Sequence, residues 1–181
     1  MAKPPFPKEL KILRVIALTL AVVYLVVVGY KISVPDFELP LGWLVKSIPI
    51  FLAAFMAWRR APGKLTNRVV IGLVFSGLGD IVLALDRENL FVLGLALFLV
   101  AHIWYIAAFA VQFRVMKHKF WYAIPIYGVG IGIYYWLYPK IAEIDNGALL
   151  IPVAVYIFVI ATMTFVAALR TIDDFRLVGG A

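Results

Sequence analysis

The sequence is dominated by long apolar runs that are separated by short polar segments. A helix needs about 20 apolar residues to cross the hydrocarbon core of a bilayer, and each run is close to that length. The short connections leave no room for a soluble domain. The pattern predicts an all-α protein: a polytopic bundle of about six transmembrane helices in one domain over residues 1–181. The runs lie at residues 12–30, 41–58, 69–85, 90–113, 120–138 and 149–169.

Composition identifies lipid as the solvent for most of the surface. Hydrophobic residues make up 65% of the chain and charged residues 15%, whereas a soluble domain averages about half and about a quarter. A chain of 181 residues cannot bury that excess, because a small domain leaves much of its surface exposed. The chain contains no cysteine, which excludes disulfides and thiolate metal sites.

The basic residues are distributed unequally between the two sides of the predicted bundle. The net charge of +7 comes from short clusters between apolar runs, a pattern typical of membrane insertion rather than of nucleic-acid binding. Both termini are therefore predicted on the cytoplasmic side. Thirteen basic residues flank the runs on that side: Lys3, Lys8, Lys11, Arg14, Arg59, Arg60, Lys64, Arg68, Arg114, Lys117, Lys119, Arg170 and Arg176. Three lie on the other side: Lys31, Arg87 and Lys140.

Three ionisable residues lie inside the apolar runs, where a charge is costly and by default indicates function. They are Lys46, Asp80 and His102. Lys46 and Asp80 each lie five residues inside their run from the acidic side, about 7 Å below it at ~1.5 Å per residue. Opposite charges at matching depth on antiparallel neighbours are expected to meet. A structural salt bridge, or a lysine that extends to the headgroups, is the alternative interpretation.

Neighbouring residues add polar groups to these positions. Pro49 removes a helical hydrogen bond beside the lysine and predicts a kink. Ser76 precedes Asp80 by one helical turn, so its hydroxyl is expected to donate to the carboxylate. His102 shares a helix face with Tyr105. An imidazole inside a membrane is either an interhelical hydrogen-bonding group or a proton shuttle and base that activates water.

Four stretches of the chain resemble a known family. The chain is similar to the YhhN-type transmembrane family, whose characterised animal members are lysoplasmalogenases. The resemblance implies hydrolysis of the vinyl ether bond of lysoplasmalogens to a fatty aldehyde and glycerophosphoethanolamine or glycerophosphocholine. The stretches that carry it are residues 45–50, 71–80, 91–105 and 153–156.

The resemblance also implies site residues and a difference in length. Family members have about eight helices and are thought to use two intramembrane aspartates, the first of which matches Asp80. The second belongs to a seventh helix beyond Ala181, so the chain is expected to lack the last two helices. The expected catalytic residues are Asp80 and His102, and the expected substrate-binding residues are Lys46, Tyr105 and Ser76. No cofactor and no metal are expected.

The expected partners are the bilayer and a lysoplasmalogen substrate. The membrane would be the endoplasmic reticulum in a eukaryote and the cell membrane in a bacterium. Small residues are expected to let helices pack closely, and they occur on the third run at Gly72, Ser76 and Gly79 and on the fifth at Gly128 and Gly132. A homodimer that forms through the face of Gly128 and Gly132 is also predicted.

A second class of function is compatible with the same residues. A pair formed by Lys46 and Asp80 also suits a proton-coupled transporter, a lipid-binding membrane protein or a truncated, non-catalytic form. Helices interrupted by proline are typical of transporters, and Pro49, Pro125 and Pro152 lie inside three of the runs. The two halves of the chain show no convincing repeat, however, which favours the hydrolase.

Overall fold

The computed structural model describes residues 8–33, 42–60, 63–111 and 117–169. No β-strand occurs within these ranges, and the predicted all-α transmembrane fold is confirmed. Two short 3₁₀ helices, Lys117–Tyr122 and Ile144–Gly147, flank the fifth α-helix. The α-helices of the described ranges are α1 (Lys8–Ser33), α2 (Gly42–Arg60), α3 (Lys64–Leu85), α4 (Phe91–Phe109), α5 (Ala123–Glu143) and α6 (Leu150–Ala168).

Four of these helices are long and apolar enough to cross a membrane by themselves. Within the described part of the chain they are α1, α3, α4 and α6, with mean hydropathies between 2.0 and 2.6. The remaining two are more polar, because α2 contains Lys46, Arg59 and Arg60 and α5 ends with Lys140 and Glu143. They have 19 and 21 residues, respectively. The chain is an integral membrane protein, and the crossing of α2 and α5 stays a prediction.

Most buried residues of the described helices are small, and many of the large apolar ones are exposed. This arrangement is the reverse of a soluble core and is typical of helices that pack in lipid, where small side chains let backbones approach. Large side chains such as Leu25 and Ile131 are 67% and 70% exposed. The almost fully buried alanines are Ala54, Ala101, Ala108 and Ala161.

The chain divides into two compact units, and the first is Met1–Ala101. In its described part, α2 packs against both α1 and α3. The connection from α3 to α4 is a tight turn around Asp86, whose Oδ1 atom accepts hydrogen bonds from the backbone N–H groups of Glu88 (3.1 Å) and Asn89 (3.0 Å). The amide nitrogen of the Asn89 side chain donates to Oδ2 at 2.7 Å. These bonds end α3 and fix the start of α4.

The second unit is His102–Ala181, and its described part contains the end of α4 with α5 and α6. The turn between α5 and α6 uses left-handed backbone at Asn146 (φ 52°) and Gly147 (φ 83°), a conformation that glycine adopts without strain. Below the turn, the hydroxyl groups of Tyr127 and Thr162 are hydrogen bonded at 3.0 Å. α5 and α6 therefore form an antiparallel pair joined by polar contacts along one side.

The glycines of α5 do not pack as the sequence predicts. A Cβ atom added at Gly128 or Gly132 would meet no atom of the described chain within 4 Å, so their expected role in packing within the chain is wrong. The contact is made by Gly130, where a Cβ would lie 3.2 Å from Cγ2 of Ile157. Gly130 is two residues from each of the others and faces the opposite side of the helix. The predicted homodimer stays a prediction.

The prolines differ in their effect on the helices. Pro49 lies in the interior of α2, where it removes a backbone hydrogen bond. Pro125 and Pro152 are the third residues of α5 and α6, where the N–H group has no partner within the helix in any case. These two prolines therefore start helices rather than interrupt them. Pro139 lies inside α5, near its end.

Candidate functional site

Lys46 of α2 and Asp80 of α3 form a salt bridge through the Nζ and Oδ1 atoms. The Asp80 side chain is 12% exposed and the Lys46 side chain 30% exposed. Since α2 and α3 are antiparallel neighbours, residues at equal distance from one membrane face reach the same depth. The structure brings together the two charges that the sequence placed at matching depth, and their role in function stays a prediction.

Close helix contacts hold the backbone on both sides of Asp80. A Cβ atom at Gly77 would lie 2.7 Å from Cζ of Phe51 on α2. A Cβ atom at Gly79 would lie 2.9 Å from Cε2 of Phe98 on α4. Because neither position accepts a side chain without movement of a ring, α3 is held close to both neighbours where it carries the carboxylate.

Ser47 is a buried polar residue that the sequence did not single out. It is 2% exposed, and its hydroxyl makes no hydrogen bond in the described structure. A buried polar group without a partner costs about 1–3 kcal/mol, and serine inside a helix usually bonds to its own backbone instead. Ser47 therefore places a buried hydroxyl without a hydrogen bond in the described structure directly after Lys46 in the chain. The sequence signal that could have identified it is a serine next to a lysine inside an apolar run.

Ser76 is half-buried and lies four residues before Asp80 on α3. This spacing places both side chains on one face of the helix, one turn apart. The hydrogen bond expected between them stays a prediction.

His102 belongs to an aromatic cluster in the second unit. Its ring makes an edge contact with Tyr105, with centroids 5.9 Å apart, and another with Tyr156 of α6, with centroids 5.4 Å apart. The predicted pair of His102 and Tyr105 is therefore observed, whereas Tyr156 was not chosen as a site residue. Its tyrosine ring inside the apolar run 149–169 was the signal that sequence reasoning passed over.

The residues expected to form the site fall into two groups. Lys46, Ser76 and Asp80 lie in the first unit, and His102 and Tyr105 lie in the second. Within the second unit, Tyr156 also lines a groove of about 590 Å³ between α5 and α6. This volume is within the range of about 300–1,000 Å³ that is usual for small-molecule sites.

In the described turn between α3 and α4, outside the membrane-spanning segments, the carboxyl group of Asp86 has a perturbed pKa. The pKa of Asp86 is lowered from its usual 3.8, first by the hydrogen bond from the Asn89 side chain and then by the backbone N–H of Asn89. In the described residues, no three His, Cys, Asp or Glu side chains are grouped in a way that would hold a metal ion.

Comparison with known proteins gives a family and two curated relatives. The model of the YhhN family matches residues 41–181. The chain is 30% identical to lysoplasmalogenase TMEM86A of Bos taurus over 143 residues, which cover 76% of this chain and 55% of that protein. It is 36% identical to lysoplasmalogenase TMEM86A of Homo sapiens over 74 residues, which cover 38% of this chain and 31% of that protein. The match thus spans about half the length of the bovine relative, and no solved structure matches the chain.

Proposed function

We propose, from the premise that the chain belongs to the YhhN family, that it hydrolyses the vinyl ether bond of lysoplasmalogens inside the membrane. The observation that carries the proposal is the salt bridge between Lys46 of α2 and Asp80 of α3, two neighbouring helices of the matched region. Similarity to the bovine lysoplasmalogenase supports the reaction class. The membrane is expected to be the endoplasmic reticulum in a eukaryote and the cell membrane in a bacterium.

The reaction sets the requirements of the site. A proton adds to the vinyl carbon remote from oxygen, and the resulting oxocarbenium ion has its positive charge shared by oxygen and the adjacent carbon. Water adds to that carbon and loses a proton, and the hemiacetal separates into a fatty aldehyde and the glycerophospholipid alcohol. The site therefore needs a proton donor, an anion to face the cation and a base that holds the water.

Asp80 is proposed as the carboxyl group of this reaction. Its carboxylate in the ion pair is suited to stabilise the oxocarbenium ion, and in the protonated form it is suited to act as the general acid. Lys46 is proposed to tune this carboxyl group or to bind the substrate phosphate as a point charge. A carboxylate in a medium of low dielectric constant interacts with a nearby cation far more strongly than it does in water.

His102, Tyr105 and Ser76 are proposed as supporting residues. An unprotonated imidazole nitrogen accepts a hydrogen bond from water, so His102 is proposed as the base that activates water. Tyr105, whose ring contacts His102 at 5.9 Å between centroids, and Ser76, one turn from Asp80, are proposed to bind the substrate. The aromatic contacts of His102 support this role because they hold the imidazole in one orientation.

The test is the release of aldehyde from a purified lysoplasmalogen by the chain in detergent. We expect Asp80→Asn to reduce turnover about 10²-fold or more, since acid–base groups contribute about 10²–10⁴. The matched control is Asp86→Asn, which makes the same change in the exposed turn between α3 and α4 and is expected to retain activity. Retained activity in a folded Asp80→Asn variant contradicts the assignment.

The alternative is a membrane protein that uses the same ion pair without cleaving lipid. It is favoured by the fact that an intramembrane Lys–Asp pair also serves proton-coupled transport or lipid binding. The two functions differ in product. A folded chain that releases no aldehyde, yet shows proton-dependent uptake or lipid binding that Asp80→Asn abolishes, would establish the alternative.

A further inference from the structure

The groove between α5 and α6 is long and apolar. It runs along α5 from Pro125 to Leu137 and along α6 from Val153 to Thr164, and its volume is about 590 Å³. At ~1.5 Å per residue these segments are about 18 Å and 16 Å long. The hydrocarbon core of a bilayer is about 30 Å thick, so a lipid chain in one leaflet spans about half of it. The groove therefore matches the reach of one hydrocarbon chain.

Polar groups are few along the groove. The hydroxyl of Thr164 donates to the carbonyl of Ile160 on its own helix, which leaves the walls apolar at that end. A lipid tail in the bilayer is already out of water, so an apolar groove gains no hydrophobic energy by accepting it. Selection of a particular lipid must therefore come from shape and from charges at an end of the groove.

One end of the groove carries charges of both signs. Lys140 follows Leu137 by three residues and continues the groove-lining face of α5, and Glu143 follows Lys140 by three more. Both side chains are exposed. The ammonium of Lys140 lies 5.5 Å from the centre of the Trp136 ring, a position from which it can pair with a phosphate at this end, and the carboxylate of Glu143 can pair with an amine or trimethylammonium group. This end thus complements the zwitterionic headgroup of a phosphoethanolamine or phosphocholine lipid.

At the opposite end of the groove, near Pro125 and Thr164, the nearby charge is the ammonium of Lys119. It donates a hydrogen bond to the carbonyl of Ala168 at 3.3 Å. This contact places the ammonium at the C-terminus of α6, where a cation complements the helix dipole. Because the ammonium of Lys119 already caps α6, the end with Lys140 and Glu143 is the better match for a headgroup that carries both a positive and a negative charge.

Tyr156 links the groove to the cluster around His102. It lines the groove three residues beyond Val153, close to the end marked by Lys140, and its ring contacts the His102 ring with centroids 5.4 Å apart. A chain whose headgroup lies at Lys140 therefore passes Tyr156 with its first carbons. In a lysoplasmalogen these carbons include the vinyl ether.

We propose that this groove binds the hydrocarbon chain of a single-chain zwitterionic phospholipid, with its headgroup at Lys140 and Glu143 and its first carbons beside Tyr156. The proposal rests on the proposed function for the identity of the natural lipid. Binding itself is independent of cleavage, so a lipid that cannot be hydrolysed tests the groove alone.

The probe is a 1-O-alkyl lysophosphatidylethanolamine, whose saturated ether has no vinyl bond, with a diazirine next to the ether or at the chain end. The full chain in lipid nanodiscs is irradiated with each probe, and the labelled peptides are identified by mass spectrometry. The diazirine near the ether is expected to label α6 around Val153 and Tyr156, and the terminal one to label the region of Pro125 and Thr164. Reversed labelling, or labelling spread evenly over exposed helix faces, overturns the proposal.

A steric block gives a second test. Val129 lines the groove and is 62% exposed, whereas Ile124 lies outside it on the same helix and is 66% exposed. Val129→Trp is expected to reduce labelling of α6 about 5- to 100-fold, the range that overpacking by one large side chain gives, and Ile124→Trp to leave it unchanged. Ile133→Trp, also in the groove, serves as the second variant if Val129→Trp fails to fold.

The headgroup is tested separately. Lys140→Ala is expected to reduce labelling about two- to fivefold, as for an exposed ion pair, and Lys119→Ala to leave it unchanged. If Val129→Trp leaves labelling unchanged and instead shifts a monomer–dimer equilibrium, the occupant is a second copy of the chain and the proposal is wrong. Specific labelling without aldehyde release from a vinyl substrate supports the groove and contradicts the hydrolase.

Discussion

The free energy of unfolding is expected to fall more when Lys46 is replaced than when its salt-bridge partner Asp80 is replaced. Lys46→Met leaves the carboxylate of Asp80 alone in the membrane, where a charged residue costs about 2.5–3.5 kcal/mol. Because 12% of that side chain stays exposed, we expect a loss of about 2–3 kcal/mol. Asp80→Asn leaves the ammonium of Lys46, whose long stem reaches the headgroups, so we expect a loss of only about 1 kcal/mol.

The double variant tests whether the two charges share one interaction. Lys46→Met combined with Asp80→Asn removes both charges and leaves none unpaired, so we expect a total loss of about 1 kcal/mol instead of the sum of about 3–4 kcal/mol. The free energy of unfolding is measured by titrating detergent-solubilised protein with sodium dodecyl sulfate and following helicity. Lys64→Met, at the exposed start of α3, serves as the control and is expected to be neutral. A double variant whose loss equals the sum of the single losses would refute the reasoning.

Three further predictions concern packing, pH and topology. Gly77→Ala is expected to destabilise the chain by about 1–3 kcal/mol, because its methyl group would lie 2.7 Å from Cζ of Phe51. Gly128→Ala, where a Cβ atom would meet no described atom within 4 Å, is the control and is expected to be neutral or stabilising in the same titration. The pKa of Asp86 is lowered from its usual value of 3.8, so its ionised carboxylate stabilises the folded chain at pH above 3.8. This stabilisation is lost as the pH falls through the lowered pKa, and the difference in unfolding free energy between the chain and Asp86→Asn is expected to vanish in acid. Since the chain has no cysteine, a single cysteine at Glu88 of the chain expressed in bacteria is expected to react with a membrane-impermeant maleimide added to intact cells, and one at Gly63 only after lysis. The reverse result contradicts the predicted orientation.

The fold was predictable because the bilayer fixes the length of each crossing segment and requires that its backbone be helical. Apolar runs near 20 residues require helices, since a lipid-exposed backbone must satisfy its own hydrogen bonds. The helix ends were less predictable, because the runs mark only the apolar part. α3, for example, begins at Lys64, five residues before the run at 69–85. Its N-terminal turn is polar, as expected of a segment at the level of the headgroups.

The ion pair was predictable for a related reason. Helix rise converts sequence distance into depth, so Lys46 and Asp80 were expected to lie level with each other before any contact was known. Helix rise does not show which face of a helix packs against a neighbour. In lipid, both the packed and the lipid-facing sides are apolar, so the sequence does not distinguish them. This explains why Gly128 and Gly132 were assigned to a packed face that Gly130 occupies.

Residues that depend on such rotation were missed. The contact between Tyr156 and His102 requires that both rings face each other across α4 and α6, and spacing along one helix carries no information about a neighbour. Ser47 was missed because burial of a hydroxyl next to a lysine is set by the packing of α2 against its neighbours. Sequence patterns therefore predicted the matching depth of Lys46 and Asp80 but neither the ring contact of His102 with Tyr156 nor the burial of Ser47.

The salt bridge places a condition on the proposed chemistry. While the Lys46 ammonium holds the carboxylate of Asp80, its charge opposes a second cation at the same oxygen atoms, so the oxocarbenium ion is stabilised fully only when the ammonium moves away. Lys46 is suited to such movement, since it is the more exposed partner at 30% and has a flexible stem. With the substrate phosphate at Lys140, movement of the Lys46 ammonium toward the headgroup region would free Asp80 as the lipid binds. Of the two roles proposed for Lys46, tuning the carboxyl group is then the one compatible with a headgroup at Lys140.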